Sequence, residues 1–308
     1  MIRVQKLSKR YGDLTALEPL DLEIRAGDMF GLIGPNGAGK TTLIRMLATL
    51  ARPTSGTATI AGLRLEPDVH ELRRRIGYMP DFFGVYEELT VHEYLEFFCS
   101  AYRIRGEKKE RVIRDVLELV DLKVKRDDLI GALSRGMQQR LGLARVLVHD
   151  PAVLLLDEPA SGLDPKARVE IRALLRELVR MGKTILISSH ILEDIADLCN
   201  RIGLIERGRL VVEGALDEVM RRVQKFRRVV VRATPISETA VARLRAHPSV
   251  QELAAQDGVL ILTLAADCRD ITFVPRTLLE EGAAIAGMDE HAPTLEEAFL
   301  NLTKGEVS

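Results

Sequence analysis

The chain has 308 residues, 46% of them hydrophobic, and its 44 Lys and Arg against 45 Asp and Glu leave a formal net charge of -1. At about 150 residues per domain this is enough for two domains with a large core, and the ordinary composition excludes disordered, collagenous and low-complexity classes. Balanced charge, 4% aromatic content and no Trp argue against a general nucleic-acid surface, and no nucleic-acid partner is expected. Cys99, Cys199 and Cys268 form no CxxC pair, which points to reduced thiols. The N-terminal segment is broken by charge and lacks the apolar core of a signal peptide, and no apolar run approaches the roughly 18 residues of a membrane span. A membrane role would therefore come through a partner.

In chain order, Met29 to Ile33 reads as a buried strand closed by glycines, followed by a helix from Thr41 to Leu50 and a strand from Thr57 to Ile60. Val91 to Val120 is charged and amphipathic, hence helical. Ala152 to Leu156 is a continuous apolar run typical of a strand covered on both faces. A helix (Pro165 to Met181), a strand (Thr184 to Ser188) and a helix (Ile191 to Cys199) follow, then two strands, Ile202 to Ile205 and Arg209 to Glu213, around Arg207-Gly208. This alternation predicts an α/β layer with a largely parallel sheet. Past Ala215 the texture changes: Met220 to Arg232 holds six basic residues and no acidic one. The order strand 228–233, helix 237–247, strand 250–255, strand 259–264, helix 271–281, strand 283–287 suits a small ferredoxin-like α+β domain. A last helix is expected from Thr294 to Leu302.

Gly34-Pro35-Asn36-Gly37-Ala38-Gly39-Lys40-Thr41 fits G-x-x-x-x-G-K-[ST], between a strand and a helix as the motif requires. Glycines let the backbone N–H groups turn inward and hold a phosphate at the helix N-terminus. Lys40 would neutralise β/γ-phosphate charge and Thr41 would offer its hydroxyl to Mg²⁺. Leu154-Leu155-Leu156-Asp157-Glu158 supplies the partner acids at the end of a buried strand. Asp157 would hold Mg²⁺, directly or through water, and Glu158 would orient or deprotonate the attacking water. No guanine-reading N/T-K-x-D motif occurs.

Leu133-Ser134-Arg135-Gly136-Met137-Gln138-Gln139-Arg140 lies about 17 residues before Asp157, and Ser188-Ser189-His190 follows. With the phosphate loop through Thr42, this set resembles the ATP-binding subunit of ABC transporters over residues 1–214. The ending Thr294-Leu295-Glu296-Glu297-Ala298-Phe299 is similar to the drug and antibiotic exporter branch. The resemblance implies a P-loop ABC-type fold with a helical lobe at about 85–150; the change of texture sets a linker at 215–225 and a C-terminal accessory domain at 226–308. The resemblance also implies ATP and Mg²⁺ as cofactors, and a homodimer or heterodimer of ATPase subunits closed by two ATP molecules. A separate transmembrane permease would be powered by that closure, the subunit lying peripherally on the cytoplasmic face of the cell membrane.

By the same resemblance Ser134 and Gly136 contact the nucleotide of the opposite subunit, His190 contacts the γ-phosphate, Tyr11 stacks on adenine and Asp164 crosses the dimer interface. Ser134 is in any case a good helix cap, Asp164-Pro165 a good helix start, and Tyr11 also reads as a plain surface tyrosine. Two departures stand out. Asp81 replaces the usual Gln and is read here as a metal contact, an acceptor-only anion in place of an amide. Arg135 replaces a glycine and is either an added cation at the site or a residue lining the interface. Phe82, Phe83 and Tyr86 crowd aromatic surface where the permease docks in the family. The alternative reading is a soluble nucleotide-gated ATPase of the same family acting on ribosomes or DNA.

Overall fold

The computed structural model describes residues 1–82, 84, 86–223, 226–265, 268 and 270–291. The expected helix 294–302 and Phe83 lie outside them. By its contacts the chain divides into two compact units, one ending at Leu216 and the next beginning at Asp217.

The first unit opens with a strand pair that the sequence reading missed, β1 (Ile2–Tyr11) and β2 (Leu14–Ile24). Their pairing is interrupted by three register shifts, which blur the alternation of apolar residues on which a strand reading depends. Next come β3 (Met29–Ile33), α1 (Lys40–Leu47), β4 (Ser55–Ile60), β5 (Leu63–Arg64), α2 (Val69–Arg75) and β6 (Ile76–Met79). The helical stretch expected over 91–120 is two helices, α3 (Val91–Ala101) and α4 (Gly106–Leu119). The break holds Arg103 at φ +62, a conformation no helix accommodates. Then follow α5 (Arg135–Leu147), β7 (Val153–Asp157), α6 (Pro165–Arg180), β8 (Thr184–Ser189), α7 (Leu192–Leu198), β9 (Arg201–Glu206) and β10 (Arg209–Ala215).

These strands form two sheets. The antiparallel one runs β2-β1-β4-β5 and the other β10-β9-β3-β8-β7-β6. In the second, β9, β3, β8, β7 and β6 are mutually parallel and only β10 reverses. Helix α1 touches both sheets, through β2 and β7. Its Leu43, Ile44 and Leu47 join Ile2, Leu17, Phe30 and Leu155 in one fully buried cluster. Every residue of β3 and β7 is buried, as a strand covered on both faces demands.

Helices α3, α4 and α5 pack together as a lobe. Thr90 and Glu93 form a capping box at the start of α3. At the end of α5, His149 stacks on Tyr102 with ring centroids 3.9 Å apart, and its Nε2 lies 2.9 Å from the Ile76 carbonyl at the start of β6. His149 thus joins the lobe to the sheet.

The chain enters the second unit through α8 (Leu216–Val223), so the expected connector at 215–225 contains a helix. Then come β11 (Phe226–Thr234), α9 (Glu238–Arg245), β12 (Val250–Gln256), β13 (Val259–Ala265), α10 (Phe273–Glu280) and β14 (Ala284–His291). The sheet order β12-β13-β11-β14, all antiparallel, is the ferredoxin-like arrangement. Val229 and Val231 face Leu262 and Leu260 across the pair β11–β13, and with Leu244, Val274 and Leu278 they form this unit's own core. Among the described residues no helix is long and apolar enough to cross a membrane.

Burial lowers the pKa of His149 from 6.5, against the opposing effect of its bond to the Ile76 carbonyl, so folding favours the neutral ring. Its contribution is fully present above 6.5 and is lost as pH falls through that value toward the folded-state pKa. The urea midpoint of the wild type should therefore drop over that range more steeply than that of His149→Phe, which keeps a ring against Tyr102 and cannot titrate; equal slopes would remove His149 as the cause.

Candidate functional site

Between β3 and α1 the chain makes the glycine-rich turn. Gly39 sits at φ +110, and a Cβ there would lie 2.8 Å from the Ala16 carbonyl, so only glycine fits. It also occupies the N-cap of α1 without a side-chain cap, which leaves the first N–H groups of the helix facing the turn. No acidic residue stands in that first turn. Lys40 is 5% exposed; its Nζ donates to the carbonyls of Gly34 (2.6 Å) and Pro35 (3.3 Å) and lies 3.6 Å from Glu158 Oε1.

Strand β7 delivers the acids. Asp157 is buried and accepts from the Ser188 hydroxyl at 2.5 Å. The same hydroxyl accepts from the Glu158 N–H at 3.1 Å, so Ser188 sets the backbone at the end of β7. Glu158 leaves the strand at φ +52. Its Oε2 lies 2.8 Å from His190 Nδ1 and accepts from the His190 N–H at 3.3 Å. Glu158 therefore bridges Lys40 and His190. Asp81, just past the end of β6, completes a cleft of about 180 Å³ lined also by Lys40, Thr41, Thr42 and Glu158. Burial, then the charges of Glu158 and Asp157, push the Asp81 pKa above the usual carboxylate range, while Arg135 and His190 pull it back.

The cleft thus brings together Pro35, Asn36, Gly37, Ala38, Gly39, Lys40, Thr41 and Thr42 with Asp81 and Glu158. Gly34 is tied to it through Lys40, and Asp157 and His190 through Ser188 and Glu158. Tyr11 is not among the lining residues; it is half-exposed at the end of β1, with Lys9 Nζ 4.7 Å from its ring centre. Ser134 and Gly136 are also outside the cleft. Ser134 caps α5, accepting from the Met137 N–H at 3.3 Å. Asp164 caps α6 through the Ala167 N–H at 3.0 Å. Phe82 and Tyr86 are exposed, 86% and 62%.

Two contributions went unread in the sequence. Ser188 was part of the quoted motif but was given no role at the acids, though a hydroxyl at the end of a buried apolar strand is a usable signal. Ala16 carried none: it reaches the cleft from β2, which the sequence reading did not find. No three His, Cys, Asp or Glu side chains converge as a metal-ligand set among the described residues.

Residues 17–161 match the ABC transporter family. A daunorubicin resistance ATP-binding protein of Streptomyces coeruleorubidus is 36% identical, aligned over 98% of this chain and 94% of its own length. The chain belongs to the ABC transporter ATP-binding family. The linearmycin resistance ATP-binding protein of Bacillus subtilis is 31% identical over 98% of each chain. The Nod factor export ATP-binding protein I of Burkholderia orbicola is 42% identical over 70% of each. Among solved structures, the ATP-binding subunit of an ABC transporter superposes with a TM-score of 0.65 at 32% identity, covering 72% of this chain and 92% of the other. A dimeric post-hydrolysis cassette bound to ADP and Pi superposes at 0.63 with 29% identity, covering 70% and 99%. The subunit is an ABC-type ATP-binding protein of a transport system.

In this ABC subunit, Gly39→Ala should abolish nucleotide binding without unfolding the chain, because its Cβ meets backbone rather than a movable side chain. Titration with a fluorescent ATP analogue checks this; retained affinity with an unchanged melting curve would sink it.

Proposed function

We propose that this chain is the Mg²⁺-dependent ATPase of an exporter whose membrane-spanning permease is a separate chain. The Lys40–Glu158–His190 bridge at the mouth of the phosphate turn carries the reading. It puts a buried cation, a carboxylate and an imidazole in one row beside free helix N–H groups.

In this reading the N–H groups of residues 36–41 and Lys40 hold the β- and γ-phosphates. The donor set fits Mg²⁺, a hard cation that keeps waters and phosphate oxygens and needs few protein ligands. Thr41 and Asp157 would hold it, with Asp81 nearby. Bound there, the ion would neutralise charge on the phosphate oxygens. Glu158 holds the attacking water and takes its proton, and the 2.8 Å contact to His190 orients that carboxylate. Tyr11 would stack on adenine. Ser134 and Gly136, outside their own cleft, would meet the nucleotide of a second ATPase copy across a dimer, identical or not, where the capped N-terminus of α5 adds a positive helix end. Binding of ligand between two surfaces links their association to nucleotide, and loss of the γ-phosphate reopens them. Residues 1–214 would do this work, 215–225 connect, and 226–308 form an accessory domain. Phe82, with Phe83 and Tyr86, would dock the permease, which would hold the subunit peripherally at the cytoplasmic membrane face.

Glu158→Gln should bind ATP as the wild type does and lose about 10² to 10⁴ in turnover; near-normal turnover in a phosphate-release assay would overturn its role as base. Asp81→Asn should weaken the Mg²⁺ dependence of turnover, whereas a superimposable Mg²⁺ titration would exclude Asp81 as a metal contact. Phe82→Glu should release a co-purifying polytopic membrane protein and leave ATP affinity intact; a retained partner would count against docking at this site.

A further inference from the structure

The N-terminal end of α5 is joined at two points to the loop running from Glu158 to Asp164 and at a third to the first turn of α6, which follows it. Gln139 Nε2 donates to the Pro159 carbonyl at 2.6 Å, a buried contact. Gly136 lies so close to α6 that a Cβ there would stand 2.8 Å from Ala167 Cβ. Arg135 Nη2 donates to the Ser161 carbonyl at 3.4 Å, and its guanidinium lies over Gly162. A Cβ on Gly162 would fall 2.5 to 2.7 Å from three guanidinium atoms. Gly162 is at φ +65, so the turn that receives Arg135 is one that glycine makes without strain. The Arg135 side chain is therefore turned back onto its own subunit.

We infer that Arg135 is a positioning residue that fastens the start of α5, with Ser134, to the Ser161–Gly162 turn, so that this end of α5 and the Glu158–Asp164 loop shift as one body. This deepens the dimer reading above and rests on it. In that dimer Ser134 meets the second copy's nucleotide while Glu158 serves its own, and the Arg135 contact ties the two. A flat guanidinium can lie on a bare Cα and bond the neighbouring carbonyl at once; a lysine ammonium cannot do both. As an added cation for the nucleotide, Arg135 would have to leave Gly162, and lysine would serve equally well.

The test is a double-mutant cycle on the full-length chain with Arg135→Ala, Gly162→Ala and both, read by hydrogen exchange at Ser161 and Leu163 and by steady-state ATP hydrolysis. The Ser161 and Leu163 amides donate to the Glu158 (3.0 Å) and Ala160 (3.4 Å) carbonyls, so they report on this loop. Arg135→Ala should speed their exchange and lower kcat about tenfold with KM for ATP unchanged. Gly162→Ala should do the same by displacing the guanidinium, and the double variant should be no worse than Gly162→Ala alone. The strain of a Cβ at positive φ is present in both backgrounds and cancels from the cycle. Arg135→Lys should not restore the wild-type values. Additive effects, unchanged exchange, or wild-type kcat in Arg135→Lys would each overturn the inference. A wild-type chain that fails to hydrolyse ATP would overturn the ATPase reading and the coupling with it, while the exchange cycle alone decides the Arg135–Gly162 contact.

Discussion

The site depends on the parallel pairing of β3, β8, β7 and β6 as immediate neighbours. Parallel strands present the same end to the same side, so four chain exits fall in one row. Ile33, at the end of β3, pairs with Ser189, and Asp157, at the end of β7, pairs with Ser188. The phosphate turn, Ser188 and His190, Asp157 and Glu158, and Asp81 are these exits in order. Ligands of open α/β sheets bind beyond the carboxyl ends of the strands for this reason. Three strands fully buried on both faces leave the row little freedom to shift.

Within that row the charges are mutually dependent. Lys40 is almost fully buried, and a buried cation without partners would be costly. It has three: two carbonyls of its own turn and Glu158. Glu158 in turn is shared with His190. Among the described residues Asp157 forms no ion pair with Lys, Arg or His; its Oδ1 accepts from the Ser188 hydroxyl. Asp81 stands at the edge, where burial and two neighbouring carboxylates disfavour its charge. The cluster is thus acidic at one end and basic at the other, an arrangement suited to a polyphosphate with a counter-cation.

The second unit is built by a different rule. Its sheet is wholly antiparallel, with alternate residues of β11 and β13 turned into a core of its own. The ion pairs Arg227–Glu290 and Arg232–Asp289 join β11 to β14 at its edge. The basic run that stood out in the sequence is thus partly neutralised within its own sheet.

Local chemistry in the sequence determined a good deal. The turn from Gly34 to Thr41, the acid pair after a continuous apolar run, and much of the order of strands and helices past Met29 rest on neighbours a few residues apart. So did the caps at Ser134 and Asp164, since a cap is a bond to an N–H three residues on. Only the tertiary structure decided which strands stand side by side, because pairing of β3 with β8 joins residues far apart in the chain. That pairing brought Ser188 to Asp157 and His190 to Glu158, and the strand pair β1–β2, hidden by its register shifts, brought Ala16 to the cleft. It also decided Arg135, whose direction depends on a bare Cα at Gly162, 27 positions further along: the sequence names the two residues, and packing alone brings them into contact.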